Sequence, residues 1–179
     1  MLRGNHETRG VFADSFLRYF PTANGHYYRM KHLFGIDFLF VDSGEDKPDS
    51  DIEYGDIADF DNYRLEQAMW LRQLRTTRQV GEHPLVVFCH MPPSFEAWHG
   101  PIHLRSTVVP ELNEMNVSVM LSGHLHYHAF KEPDDIVRFP NLVNSNNAYL
   151  DCHIHDGKLT VDCVGLDAKE NHRYTFDLK

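Results

Sequence analysis

Two short, mainly apolar runs that each end in a histidine-bearing loop constrain the fold of this chain most. Residues 85–88 (Leu-Val-Val-Phe) lead into Cys89-His90, and residues 117–121 (Val-Ser-Val-Met-Leu) lead into Gly-His-Leu-His at 123–126. Such runs are typical of strands buried within a parallel sheet. Open α/β sheets carry their functional residues in loops at the carboxyl ends of strands. The sequence therefore predicts an α/β fold with both histidine loops at one edge of a sheet.

The rest of the chain predicts helices and antiparallel strands around these two runs. Residues 26–34 and 36–41 flank Gly35 as a hairpin, and the acidic, turn-rich residues 42–59 follow as a surface loop. Residues 62–80 contain neither Gly nor Pro, which predicts a helix with Asp61 as its N-cap and Gly81 as its end.

A second helix is predicted at 107–115, where Pro110 falls in the first turn. The tail is expected to be antiparallel, because residues 149–154 and 159–164 alternate around an Asp-Gly pair typical of a type I′ turn. A final strand is predicted at 174–178. Strands of both kinds fit a sandwich of two sheets flanked by helices.

Composition limits the possible partners and the number of domains. A chain of 179 residues suits one domain with its own core, so we expect a single domain over 1–179. The formal net charge of −9 gives no sign of a nucleic-acid-binding surface. We find no apolar stretch long enough to span a bilayer, so no membrane partner is expected, and the sequence does not determine localisation.

Histidine is unusually abundant, with 13 residues, and several lie in glycine-turned motifs. Gly4-Asn5-His6 with Glu7 opens the chain, and His90, His124 and His126 follow the two apolar runs. Imidazole binds zinc, iron, nickel and copper, while manganese favours carboxylates and water. Three such motifs in order therefore predict a metal-binding hydrolase site.

The order and form of these motifs resemble the calcineurin-like metallophosphoesterases. Phe-Cys-His-Met-Pro-Pro at 88–93 and Gly-His-Leu-His-Tyr-His at 123–128 are most similar to bacterial phosphohydrolases and the purple-acid-phosphatase-like group. The resemblance implies a two-sheet sandwich and hydrolysis of a phosphoester substrate, with two divalent or trivalent ions (Mn, Fe or Zn) in the complete family site.

The resemblance also implies roles for individual residues. Asn5, His90 and His124 would bind one metal ion and His126 the other. His6 would protonate the departing oxygen or orient the phosphoryl group, tasks for which a pKa near neutrality suits imidazole. Arg3 resembles the phosphate-clamping arginine of the serine/threonine protein phosphatase branch, a role natural to a guanidinium group. A solvated arginine is the alternative.

The family's Asp-x-His and Gly-Asp-x-x-Asp elements do not precede Gly-Asn-His in this sequence. We therefore expect an N-terminally truncated domain that binds at most one metal ion and has weak or no phosphatase activity. A sandwich lacking opening strands would expose a sheet edge, which predicts self-association. Substrate specificity is expected from two loops, residues 42–59 and 94–105, with Trp98 and His99 as candidate lining.

Several alternatives remain open on the sequence alone. One is a non-catalytic binding or scaffold module that keeps the fold, and another is a one-metal hydrolase built from His90, His124 and His126. Residues 55–59 match Gly-Asp-x-x-Asp by letter, but helix-start carboxylates explain them as well. His153 and His155 share one strand face, either as zinc ligands or as exposed residues.

Overall fold

The computed structural model describes residues 1–10, 13–22, 25–77, 82–95, 97–166 and 171–178. Nine strands are formed in this part of the chain: β1 Arg29–Leu33, β2 Ile36–Val41, β3 Leu85–Cys89, β4 Val117–Ser122, β5 Ala129–Lys131, β6 Asn141–Val143, β7 Ala148–His155, β8 Lys158–Gly165 and β9 Asn171–Asp177. The α-helices of the same residues are α1 Phe16–Tyr19, α2 Phe60–Thr77, α3 His99–Thr107 and α4 Val109–Asn113. Short 3₁₀ turns lie at His6–Thr8, Ala13–Ser15 and Ile52–Tyr54.

The larger sheet has six strands in the order β1-β2-β3-β4-β6-β5. Its four central strands run parallel, and the two edge strands, β1 and β5, run antiparallel to their neighbours. The predicted hairpin around Gly35 and both apolar strands are confirmed. Because β3 and β4 are adjacent and parallel, the loops that follow them leave the sheet at the same edge.

The second sheet consists of β7, β8 and β9, all antiparallel. Its hairpin turns at Asp156 and Gly157, whose φ angles of 50° and 70° fit the predicted type I′ turn. Cys152 lies opposite Val161 and not opposite Cys163, and both cysteines are free. Cys152 is exposed, whereas Cys89 and Cys163 are buried.

Alternate residues of the larger sheet bury two opposite faces. Leu39, Val87 and Met120 point into one core with the helices, where Leu71 of α2 and Leu112 of α4 meet them. Val86, Val119 and Leu142 point the other way and pack against Val161 and Phe176 of the three-stranded sheet. The predicted α/β sandwich of two sheets flanked by helices is confirmed.

Helix α2 begins two residues earlier than predicted. Both carboxylate oxygens of Asp49 accept the backbone N–H groups of Phe60 and Asp61, each at 2.9 Å. A cap supplied by a residue eleven positions upstream leaves no local signal. Asp61 is therefore a first-turn residue and not the N-cap, and the predicted end at 78–81 lies outside the described residues.

Helix α3 replaces much of the predicted loop at 94–105, and the helix predicted at 107–115 is the shorter α4. Gly100 and Pro101 lie in the first turn of α3, where missing N–H bonds cost little. A Cβ at position 100 would lie 2.6 Å from the Glu45 carbonyl oxygen, so this glycine allows close packing. Residues 42–45 are buried, and the Glu45 backbone packs against Gly100 of this helix. The start of the predicted surface loop therefore belongs to the interior.

Among the helices of the described residues, none is both long enough and apolar enough to cross a bilayer.

Candidate metal centre

The site is built from two loops at the carboxyl edge of the larger sheet. His90 follows β3 and His124 follows β4, and the Gly123 N–H group donates to the His90 carbonyl oxygen at 3.0 Å. The two imidazole rings stand edge to face with centroids 5.2 Å apart. The pairing of the two strands therefore sets the distance between these histidines.

The amino-terminal loop brings Asn5 to the same place. Asn5 is buried, and its side-chain Oδ1 lies 3.2 Å from His90 Nε2. The preceding Gly4 fits against His90, because a Cβ there would be 2.9 Å from Nε2. The glycine of the Gly-Asn-His motif thus gives the loop close access to the histidine.

A cavity of about 260 Å³ opens between these loops. Its lining residues are Asn5, His6, Glu7, Asp46, His90, His124 and His126. Five of the six residues predicted from the sequence share this cavity. Its donors are mostly imidazoles and an amide oxygen, a set suited to borderline cations such as zinc.

Arg3 is the predicted site residue that does not line this cavity. Its guanidinium group pairs with Asp42 at 2.7 Å and lies over the Tyr27 ring at 3.6 Å from the centroid. Arg3 and Tyr27 line a different cavity, which also contains Arg9 and Tyr54. The ion pair with the buried Asp42 therefore holds Arg3 away from His90 and His124.

Two carboxylates in the cavity were not predicted as site residues. Glu7 was part of the Gly-Asn-His-Glu string, and its Oε2 accepts the Gly4 N–H group at 2.7 Å. Asp46 gave no signal because it lies in a loop rich in acidic residues. Its Oδ2 is 3.5 Å from Asn5 Nδ2, and its Oδ1 pairs with Arg9 at 3.1 Å. Only the packing of the loop distinguishes Asp46 from its acidic neighbours.

The loop after β4 has an unusual backbone. His124 and His126 both have positive φ angles, 71° and 63°. The Leu125 N–H group donates to the Gly123 carbonyl oxygen at 2.9 Å, which closes a tight turn centred on His124. Leu125 is buried and anchors the loop. Positive φ at two non-glycine residues is strain of the kind found at functional sites.

The electrostatic environment keeps His90 neutral. Burial, followed by the proximity of His124, lowers the pKa of His90 to about 4. Neutral imidazole is the form that binds metal ions. The protonation state of His90 therefore fits a ligand role at neutral pH.

The ligand atoms of His90, His124 and His126 do not all lie within 4.8 Å of one another. Among the described residues, one group of at least three His, Cys, Asp or Glu has its ligand atoms all within 4.8 Å of one another, and it is Asp61, His99 and His103. His90, His124 and His126 share the cavity at wider spacing. An ion bound by all three would require rotation of at least one side chain.

The remaining candidates lie away from this cavity. Gly55 and Asp56 form an exposed left-handed turn, with φ angles of 55° and 60°. His153 and His155 are exposed on β7 and lie beside Asp151 and Asp156, at 3.3 and 2.9 Å. Neither position contributes to the cavity that contains His90.

A family model described as calcineurin-like phosphoesterase matches residues 1–128. A dimetal phosphatase from Danio rerio superposes with a TM-score of 0.64 at 14% identity, over 98% of this chain and 71% of that chain. The purple acid phosphatase PPD1 from yellow lupin (Lupinus luteus) seeds gives 0.57 at 11% identity, over 88% and 34%. GAP50, the anchor in the inner membrane complex of Plasmodium, gives 0.50 at 13% identity, over 86% and 54%.

The chain spans about a third of the lupin protein and about half of the Plasmodium protein. At these identities the superpositions show a shared fold. No curated protein sequence matches this one.

Proposed function

Because this chain belongs to the calcineurin-like phosphoesterase family, we propose that its histidine-lined cavity is a metal-dependent site for phosphoester hydrolysis. The observation that carries the proposal is the single cavity shared by Asn5, His90, His124 and His126. A bound cation of the Zn, Fe or Mn type would supply charge to polarise a phosphoryl group and to activate water. Asn5, His90 and His124 would hold it, and His126 lines the same cavity.

His6 is proposed as the proton donor to the departing oxygen. It lies in the 3₁₀ turn His6–Thr8, is exposed at the cavity mouth, and is close enough to His90 to affect the pKa of that residue. An exposed imidazole can exchange its proton with water between turnovers. General acid catalysis of this kind contributes about 10²–10⁴-fold to a rate.

The charge balance of the cavity supports one cation and low activity for this chain. Asn5 and the histidines are neutral ligands, so neutralising charge must come from Glu7 and Asp46. Glu7 is engaged by the Gly4 N–H group, and Asp46 by Arg9 and Asn5. Two dications a few ångströms apart would repel each other with little compensation. We propose at most one bound ion in this cavity and turnover well below that of ordinary phosphatases.

Metal-dependent hydrolysis of an aryl phosphate tests the proposal. We expect slow turnover with added Zn²⁺, Mn²⁺ or Fe²⁺ that is lost in His124→Ala and kept in His153→Ala, an exposed histidine on β7. Turnover that survives His124→Ala would contradict the site. Rates like those of ordinary phosphatases would contradict the one-ion proposal.

Leaving-group dependence tests the role of His6 separately. A proton donor matters most when the departing oxygen is basic, so His6→Gln should slow alkyl phosphate hydrolysis by roughly 10²-fold. Hydrolysis of an activated aryl phosphate should change much less. Equal loss with both substrates would assign His6 a different role.

A non-catalytic binding module is the second candidate, and the engaged carboxylates of Glu7 and Asp46 favour it. Metal analysis separates the two candidates. An ion bound at the His90 cavity together with detectable turnover supports the hydrolase. A protein that binds no ion at the His90 cavity supports the module.

A further inference from the structure

We propose a second metal site, distinct from the His90 cavity, in which Asp61, His99 and His103 bind a zinc-like divalent cation between helices α2 and α3. Their ligand atoms all lie within 4.8 Å of one another. None of the three lines the cavity that contains His90 and His124. This inference does not depend on the proposed hydrolysis.

Helix geometry aligns the two histidines. His99 and His103 are four residues apart in α3, so both rings project from one face of the helix. The rings are stacked, with centroids 5.6 Å apart and planes 17° from parallel. Asp61 in the first turn of α2 faces them, with His99 Nε2 at 2.8 Å and His103 Nδ1 at 3.2 Å from its Oδ1 atom.

One ligand atom of the group is buried without a hydrogen bond. The Nδ1 atom of His103 is buried and makes no hydrogen bond within the described residues, although Asp61 is near. A buried ring nitrogen without a hydrogen bond is costly. A cation between His103 and Asp61 would satisfy this atom.

The spacing of the donors matches zinc with little adjustment. Tetrahedral ligands at about 2.0–2.2 Å from zinc lie roughly 3.3–3.5 Å apart. The observed separations of 2.8 and 3.2 Å from Asp61 are slightly shorter than that value, so the side chains would move apart by a few tenths of an ångström to admit an ion. Two imidazoles and one carboxylate are a donor set that zinc accepts, with water in the fourth position.

The surroundings orient the carboxylate. Arg64 is fully buried, and its Nη1 donates to Asp61 Oδ1 at 2.8 Å. Metal-binding carboxylates are commonly held by such hydrogen bonds. Asp49, which accepts the N–H groups of Phe60 and Asp61, interacts electrostatically with Arg64 and offsets its positive charge. The two carboxylates of Asp49 and Asp61 outweigh the one guanidinium group of Arg64, so the net charge here is negative and favours a cation.

The site would connect structurally to the His90 cavity. The Gly100 N–H group, next to His99, donates to the Asp46 carbonyl oxygen at 2.9 Å. Arg64 also binds the carbonyl oxygens of Ser43 and Glu45. A cation joining α2 to α3 would therefore stabilise the segment that carries Asp46 into the first cavity.

Zinc content measured by equilibrium dialysis tests the site. We expect His99→Ala/His103→Ala to bind one zinc ion fewer than the unaltered protein, with an unchanged far-UV circular dichroism spectrum. The matched control His153→Ala/His155→Ala should keep the full content. At zinc concentrations about 100-fold above Kd, the melting temperature should rise by roughly 5 °C or more through this site, and the double variant should lose that rise.

A variant of the other cavity separates the two proposals. His90→Ala/His124→Ala should still bind zinc through Asp61, His99 and His103. If instead the His99→Ala/His103→Ala variant binds as much zinc as the unaltered protein, with equal affinity, the second site is overturned. If the His90→Ala/His124→Ala variant binds as much zinc as the unaltered protein while the His99→Ala/His103→Ala variant binds less, the first cavity is not a zinc site and the second site stands.

A measurement on the unaltered protein avoids any effect of substitution on folding. Diethyl pyrocarbonate modifies accessible imidazoles, and His99 is 32% exposed. Zinc should protect His99 from modification, mapped by peptide mass spectrometry, while His153 stays reactive. Equal modification of His99 with and without saturating zinc would overturn the proposal.

Discussion

Gly4 shows how a single missing side chain determines access to the cavity. A Cβ at this position would be 2.8 Å from Glu7 Oε2 and 2.9 Å from His90 Nε2. Glu7 could move at the cost of its bond to the Gly4 N–H group, but the His90 ring is held between loops. The glycine therefore serves close packing around a proposed ligand.

Gly4→Ala should weaken metal binding at the His90 cavity by about 10-fold or more, the scale seen when groups supporting a ligand are disturbed. The control is Gly123→Ala, because its Cβ would be 3.7 Å from His90 Nδ1, an ordinary contact. Calorimetric titration with zinc in the His99→Ala/His103→Ala background isolates this cavity. Equal affinities for the two alanine variants would contradict the packing argument.

At the residue scale, sequence patterns identified those site residues that lie in glycine-turned motifs. Asn5 and His124 belong to such motifs, His90 directly follows a buried apolar run, and the structure brings all three to one cavity. Asp46 was missed because its position depends on the contact between α3 and its loop. The pairing of Arg3 with the buried Asp42 could not be predicted, because the two residues are 39 positions apart and no local pattern links them. The phosphate role expected for Arg3 therefore took no account of this ion pair.

At the element scale, the first hairpin contains an unfavourable turn residue. Phe34 has a φ of 55° and is 93% exposed, and Gly35 follows with a φ of 74°. Two positive φ angles in a two-residue hairpin loop favour Asn-Gly. An aromatic residue in this conformation is strained and gains little from burial.

Phe34→Asn should therefore stabilise the protein by roughly 0.5–1 kcal/mol, measured by urea denaturation. Phe34→Ala is the control, because alanine removes the same ring but does not favour positive φ. Equal free energies of unfolding for the two variants would show that the turn conformation is not the cause.

The loop between β5 and β6 contains a pH-dependent contact. Asp134 pairs with Lys131 at 2.7 Å and accepts the N–H groups of Ile136 and Val137. The hydrogen bond from Lys131, followed by that from the Val137 N–H group, lowers the pKa of Asp134 to about 2. Since the folded state favours the carboxylate, its contribution is complete above the ordinary value of 3.8 and is lost as pH falls through about 2.

Asp134→Asn keeps an acceptor for the two N–H groups but removes the charge. At pH 6 it should lower the free energy of unfolding by about 0.3–1 kcal/mol, the scale of an exposed ion pair. The difference from the unaltered protein should shrink as pH approaches 2 in urea denaturation series. A difference that stays constant between pH 6 and pH 2 would contradict the assignment.

Strands were easier to predict from the sequence than helices in this chain. The apolar runs of β3 and β4 and the Asp-Gly turn of the tail hairpin are local signals. Helix α3 was missed because Gly100 and Pro101 suggest a loop, although both suit the first turn of a helix. The short strands β5 and β6, three residues each, carry too little pattern to predict.

At the scale of the whole molecule, the six-stranded sheet ends in β1 on one side. Within the described residues, β1 pairs with β2 alone. Leu33 on this strand is 48% exposed, and Phe34 adjoins it at the hairpin tip. An edge strand with exposed apolar side chains is a template for pairing with another chain.

We therefore expect two copies of the chain to pair through β1. Each copy is expected to be a single domain over residues 1–179. Light scattering should show a concentration-dependent dimer, and Leu33→Lys should shift it toward monomer because charge on an edge strand opposes pairing. The control Ile154→Lys places a lysine at a similarly exposed apolar position on β7. A monomer at all concentrations, or equal loss of dimer in both variants, would contradict this edge as the interface.

The central claim is that Asn5, His90 and His124 hold a metal ion at the carboxyl edge of the larger sheet. Anomalous diffraction from crystals soaked in zinc, recorded above and below the zinc absorption edge, locates bound ions directly. We predict an anomalous peak within bonding distance of the His90 and His124 rings and of the side-chain Oδ1 atom of Asn5. Crystals that bind zinc elsewhere and show no peak in this cavity would contradict the account.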